Sequence, residues 1–142
     1  MNSPLNVKQW ITASVACFVV MAVLGFIEHG VLLTSWYNEY PHYWRLEADQ
    51  ASRMHWAYVG YLLFSALFTY IYTKGYEGKP GLGEGFRYGA LVGALVGFPK
   101  MFFDHVMFPY QGKVILTWGI STFVICIVMG LVTASIYKKE AK

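Results

Sequence analysis

Two acid–histidine pairs interrupt otherwise apolar runs of this sequence: Glu28-His29 within FIEHGV and Asp104-His105 within FFDHVM. Lys100 stands four residues before Asp104, the spacing at which a lysine and an aspartate on one helix neutralise each other. His42 and His55 border the hydrophilic loop that follows the first pair. Imidazoles and carboxylates in this number offer nitrogen and oxygen ligands for zinc, iron or copper. His29 and His105, on separate helices, could also hold a haem axially. The same groups suit proton or quinone chemistry. Against a metal, no H-x-x-H, E-x-x-H or H-E-x-x-H spacing puts two ligands on one helix face. Neighbours such as Glu28 and His29 diverge by about 100° on an α-helix, so they do not aim squarely at one ion. The leading reading is therefore a structural polar cluster, with metal or haem second and proton or quinone chemistry third.

The elements that carry these residues follow from composition. The 142-residue chain is 56% hydrophobic and 18% aromatic but only 13% charged, a balance outside the soluble globular range. Four apolar runs are long enough to span a bilayer, at about 9–35, 55–75, 86–109 and 113–137, and they use nearly the whole chain. The expectation is an all-α integral membrane four-helix bundle forming one domain over 1–142, with helices at about 9–35, 46–75, 86–109 and 113–137. The run from Trp10 to Phe26 is longer than a signal-peptide core and no A-x-A-like site precedes Glu28, so that segment is expected to stay in the mature protein. Cys17 and Cys126 fall inside spans and read as small packing residues.

With the N-terminus inside, Lys8, Lys74, Lys79, Arg87, Lys138, Lys139 and Lys142 are cytoplasmic, against Arg45, Arg53, Lys100 and Lys113 outside. Seven against four predicts N-in, C-in. The +3 charge is thereby a matter of topology, and no nucleic-acid partner is expected. The outer loop between the first two spans, residues 36–58, is crowded with tryptophan and tyrosine and fits an interfacial belt. Measured from that belt, Glu28 and Lys100 lie on the order of 12–15 Å along their helices, a depth at which ionisable groups turn toward protein. Glu28 is expected to face the third span and to find Lys100 or His105.

Gly85, Gly89, Gly93 and Gly97 recur every fourth residue in the third span, ahead of Pro99. Helices in lipid gain nothing from burying apolar surface against each other, so small-xxx-small rows that allow close backbone approach supply the attraction. The row predicts a glycine-zipper groove, docked on another helix of this chain or on another subunit, with small partners available in Ala13, Ser14, Ala16, Cys17 and Ala22 or in Gly119 and Ser121. Pro99 is expected to kink the helix beyond the row. The link from Tyr110 to Lys113 is so short that the last two spans must be antiparallel neighbours.

The string YIYTKGYEGKPGLGEGFRYGALVG contains the words TKGYEGK and EG-RYG, the outer loop contains YWRLEADQ, and the chain closes near IYKK. In these words it resembles small four-helix bacterial membrane proteins of unassigned function, and it is similar in layout to the DUF1761 family. The resemblance covers most of the chain. It implies the four-helix topology and a bacterial inner (cytoplasmic) membrane, multi-pass location, and it brings no substrate, cofactor or catalytic residue.

These readings converge on a non-catalytic integral membrane protein, an accessory or assembly subunit whose partners are the lipid bilayer and other membrane subunits or further copies of itself. The alternative is a metal- or haem-binding membrane protein using the His and acid groups. A third is a small oligomeric proton-coupled transporter with Glu28 as the titrating group. No G-x-S-x-G or other nucleophile signature supports an enzyme.

Overall fold

The computed structural model describes residues 5–79 and 82–138, so Pro80 of the glycine-rich turn and the basic tail residues Lys139 and Lys142 lie outside the described residues. Among those described, every regular element is helical. Helix α1 (Val7–Phe26) runs into a π-helical segment (Ile27–Leu32), followed by α2 (Thr34–Glu39), a 3-10 turn (Pro41–Tyr43), α3 (Glu47–Gly75), α4 (Gly83–Met107) and α5 (Gly112–Ile136). Three stretches are long and apolar enough to cross a membrane: Val7–Leu32, Gly83–Met107 and Gly112–Ile136. Helix α3 has the length, at 29 residues, but its serines, threonines, tyrosines and charged first turns dilute its apolar character.

Local chemistry explains the ends. The Asn6 side chain caps α1 by accepting from Gln9 N at 3.1 Å. The first span, expected to reach residue 35, breaks at Leu33, after the wide π turn has closed with Leu33 N donating to Glu28 O at 2.9 Å. Helix α4 starts at Gly83, three residues before the apolar pattern. The buried Glu84 carboxylate accepts from Glu77 N (2.6 Å) and Lys79 N (3.1 Å), which folds the preceding loop onto the first helical turn. Pro99 sits inside α4 without ending it.

Packing is inverted relative to a soluble protein. Val7, Ile11, Val15, Val19 and Val23 recur every fourth residue of α1 and are all exposed, whereas Ser14, Ser65, Thr69 and Thr133 are buried. An apolar exterior over a hydroxyl-lined interior is what lipid selects, because hydroxyls there have no water to bond and must find one another. Ser14 and Thr69 hydroxyls meet at 2.6 Å between α1 and α3, and Cys17 Sγ lies 3.3 Å from Thr133 Oγ1 between α1 and α5. Cys17, Phe68, Cys126 and Met129 form the central cluster, with Tyr88 and Val92 of α4 packed against it.

The glycine row of α4 docks on α5 of the same chain. A Cβ built on Gly93 would fall 2.9 Å from Phe123 Cα, and one on Gly97 would fall 2.8 Å from Gly119 O. At Gly85 and Gly89 it would run into the carbonyls of Gly130 and Cys126. The approach is reciprocal, since a Cβ on Gly130 would sit 3.0 Å from Gly89 Cα. The groove is thus filled within the chain, by an α5 ridge that steps 119, 123, 126, 130.

Candidate functional site: a polar cavity beside the aromatic loop

Where the glycine row ends, the π segment, α4 and α5 line an open cavity of about 260 Å³. Glu28 and His29 enter it from the π segment, Lys100 and Asp104 from α4, and Trp118 and Thr122 from α5. Each arrives for a local reason. The π turn reduces the angular step between neighbours below the α-helical value, since its bonds close over five residues rather than four. Glu28 and His29 both line this space, with His29 Nε2 3.7 Å from Glu28 Oε2. Lys100 and Asp104, one turn apart, are ion-paired. The Lys100 ammonium also lies 5.7 Å from the Trp118 ring centre.

Glu28 is 7% exposed. Its neighbours differ from those expected: Ser121 of α5 lies on the side of its carboxylate, and His29 flanks it on its own helix. Lys100 shares the cavity without being its direct partner, and His105 is exposed and does not line it. The reason is geometric. With the glycine row buried on α5, Asp104 of α4 points inward and the neighbouring His105 necessarily points away. Tyr61 of α3 does not line the cavity but packs beside it on α1, its hydroxyl 2.8 Å from where a Cβ on Gly25 would stand.

His29 Nδ1 is 2.6 Å from the Tyr37 hydroxyl, and the two rings are stacked 6.0 Å apart. Trp118 Nε1 donates to the same hydroxyl at 3.0 Å. An indole N–H can only donate, so the Tyr37 oxygen accepts from Trp118, and whether it donates to His29 Nδ1 or accepts from it follows the imidazole tautomer. Burial pushes the Tyr37 phenol up to about 12, a rise that the Trp118 hydrogen bond opposes and the nearby Glu28 charge adds to, so Tyr37 keeps its proton at any physiological pH. The result is a series of polar contacts from Trp118 through Tyr37 to His29, hydrogen-bonded throughout, with the His29 ring then 3.7 Å from the Glu28 carboxylate.

The remaining histidines stand apart. His42 is exposed on the 3-10 turn with its ring 4.2 Å from that of Tyr43, and His55 is exposed on α3 beside Trp56. Among the described residues, no three His, Cys, Asp or Glu side chains gather where one metal ion could be held. Sequence reasoning missed Tyr37, Trp118 and Ser121. Tyr37 read as one more belt aromatic. The signal for the other two was their spacing around Gly119, already a named packing partner, which puts Trp118, Ser121 and Thr122 on neighbouring positions of one helix.

No protein-family model matches this chain, and neither a curated protein nor a solved structure matches it.

Proposed function

We propose that this chain is a four-pass integral protein of a bacterial inner membrane, N-in and C-in, serving as a non-catalytic accessory or assembly subunit. One observation carries the reading. Residues 51–60 of α3 are exposed on every face of the helix, and within them Trp56 is 67% exposed. A helix free on all sides over about 15 Å lacks the tertiary packing from which most helical stability comes, and Trp56 with Met54 and Tyr58 offers the aromatic and thioether surface that partner helices use as anchors. The glycine row is already occupied by α5, so α3 rather than α4 presents the free surface.

The experiment is purification in mild detergent with mass determination of the intact assembly. A subunit elutes in fixed stoichiometry, with another polypeptide or with itself, and Trp56→Ala releases it. Recovery only as a 16.1 kDa monomer sinks the proposal.

A second reading is favoured by the cavity. Glu28 and Asp104 are both buried there with a single amine, Lys100, which is ion-paired to Asp104, so Glu28 has His29 rather than a fixed cation beside it. That is the arrangement of a proton-coupled carrier, built from several copies because four helices are few for a path. Proteoliposome flux unchanged by Glu28→Gln would remove Glu28 from that role.

A further inference from the structure

The cavity at the end of the glycine row has walls whose donors are engaged and one strong acceptor that is not. Lys100 is ion-paired with Asp104, Trp118 Nε1 donates to the Tyr37 hydroxyl, and the Thr122 hydroxyl donates to the Trp118 carbonyl at 2.8 Å. His29 meets the Tyr37 hydroxyl through Nδ1. Lys100 and Asp104 cancel, so the fixed charge left on the lining is that of Glu28. The Glu28 side chain is only 8% exposed. A carboxylate offers about four lone-pair sites. Ser121 stands on one side of this one, and His29 Nε2, at 3.7 Å, is beyond hydrogen-bond length. Most of its accepting capacity is unused, and the space it lines is open to a solute.

A buried carboxylate without a fixed cation takes up a proton or a counter-ion. The counter-ion that fits this lining is organic. A metal ion gives up its water only to several ligands held together, and among the described residues no three His, Cys, Asp or Glu side chains gather for one. A cavity of about 260 Å³ holds roughly nine water volumes, room for a body of several heavy atoms rather than a bare ion. Its other walls include the Trp118 indole, and Gly97 and Gly119, which bring no side chain. Aromatic rings attract ammonium groups, as the Lys100 ammonium shows at 5.7 Å from the Trp118 ring centre.

We propose that this cavity binds a small organic cation, its ammonium group paired with Glu28 and its apolar body against Trp118. The inference rests on the proton-coupled reading above and deepens it by naming the substrate class. Coupling then becomes a competition, because one carboxylate holds either the proton or the cation. The other ionisable groups about it are His29 of the π segment, Lys100 and Asp104 of α4, Tyr37 of α2 and, beside the cavity, Tyr61 of α3. From α5 come Trp118, Ser121 and Thr122, which do not titrate. Lys100 and Asp104 neutralise each other and phenols are uncharged near pH 7, so Glu28 and His29 set the pH dependence.

The test is equilibrium dialysis of labelled choline against the full chain in mild detergent, with the uncharged alcohol in which carbon replaces the choline nitrogen as competitor. The wild-type chain binds one choline. The uncharged isostere competes about thirtyfold more weakly or worse, the loss expected when a buried charge loses its partner. Affinity weakens as the pH falls, and calorimetry in buffers of different ionisation heat finds protons released on binding, approaching one per choline. Glu28→Gln abolishes binding. Lys100→Gln removes the cation from the wall and tightens binding about threefold or more, where a merely structural role would weaken it. That side chain is exposed, so it carries the test if Glu28→Gln fails to fold. Equal competition by the isostere, binding kept in a folded Glu28→Gln, or weaker binding in Lys100→Gln overturns the proposal. The absence of saturable choline binding at every pH overturns it too and leaves Glu28 a protonated structural acid. Displacement by sodium or potassium at concentrations comparable with choline overturns the organic assignment in favour of an inorganic cation. Binding without proton-coupled flux in proteoliposomes upholds the site and removes only the carrier.

Discussion

Replacing glycine by alanine should have opposite effects at Gly89 and at Gly60, and the sign is set by what a methyl group meets. Both lie in helix interiors, where glycine costs about 1 kcal/mol relative to alanine, so propensity favours both substitutions equally. At Gly60 a Cβ meets nothing within 4 Å, and the gain stands alone. Gly60→Ala is expected to stabilise by about 0.5–1 kcal/mol. At Gly89 the Cβ falls 2.8 Å from Ile127 Cα and collides with the Cys126 carbonyl. Carbon atoms settle at about 3.5–4.0 Å, so α4 and α5 must part by roughly 1 Å, and a gap of that size forfeits a quarter to a half of each contact along the row. Overpacking of a close-packed site costs about 1–3 kcal/mol, which leaves Gly89→Ala about 0–2 kcal/mol less stable after the propensity gain is subtracted, and at the upper end because the clash is with backbone. The assay is reversible unfolding in mixed micelles, followed by circular dichroism and tryptophan emission on both variants. If Gly89→Ala is as stable as Gly60→Ala, the row is not the contact that joins α4 to α5.

At the other end of the row, Gly119→Ala should cost less than Gly97→Ala in the same unfolding assay, because its Cβ meets the Met101 side chain (Sδ 2.8 Å, Cβ 3.1 Å), which can yield in part, whereas that of Gly97→Ala meets the Gly119 carbonyl at 2.8 Å and should cost about 1–2 kcal/mol. Tyr37→Phe removes the acceptor of Trp118 and the partner of His29, and should destabilise by about 1–3 kcal/mol with a shift in tryptophan emission. Glu84→Ala frees the N–H groups of Glu77 and Lys79, so amide exchange over 77–79 should accelerate about tenfold or more while exchange in α5 is unchanged. Arg53, and then Arg45, hold the exposed Asp49 carboxyl below its ordinary value of 3.8. Its folded value is thus the lower one, so its support of the first turns of α3 is complete above pH 3.8 and is lost as the pH falls through the folded value. Exchange at Gln50–Arg53 should rise on acidification in the wild type and lose that pH dependence in Asp49→Asn.

The long apolar stretches were legible because length and hydropathy alone decide what can cross a bilayer, and α3 is the weak case because Tyr58, Tyr61, Ser65 and Thr69 mix polar groups into its run. The glycine row was legible by its period of four, but its partner was not. The facing α5 ridge uses Gly119, Phe123, Cys126 and Gly130, whose sizes share no pattern. What could have found it is the short link: Gly97 and Gly119 lie equally far on either side of Phe108, so an antiparallel turn brings them together. In the site, Lys100 and Asp104 were readable as an i,i+4 pair, whereas the partner of Glu28 was not. A π turn leaves no mark in composition, and without it Glu28 and His29 diverge. The hydroxyls that serve them, Ser121 and Tyr37, come from residue types that elsewhere in the chain only pack or line the belt.

The row and the cavity are one construction. From Gly85 to Gly93 nothing larger than hydrogen separates α4 from α5, and the two backbones touch. At Gly97 and Gly119 the glycines become lining, and one turn further Met101 lies over Gly119 where a fifth small residue would continue the row. Met101 places a long side chain against Gly119 where the row had hydrogen, and beside it opens the cavity that Glu28, His29, Lys100 and Asp104 line. Lipid-depth charge needs a roomy polar enclosure, and an uninterrupted zipper would have left none. The change from glycine to methionine in the same register therefore sets where the site can be, and the acid–histidine pair of the π segment is placed at that level of the neighbouring helix. On this account the depth of the polar site is fixed by packing between α4 and α5, and α1 only has to deliver its carboxylate to an opening that already exists.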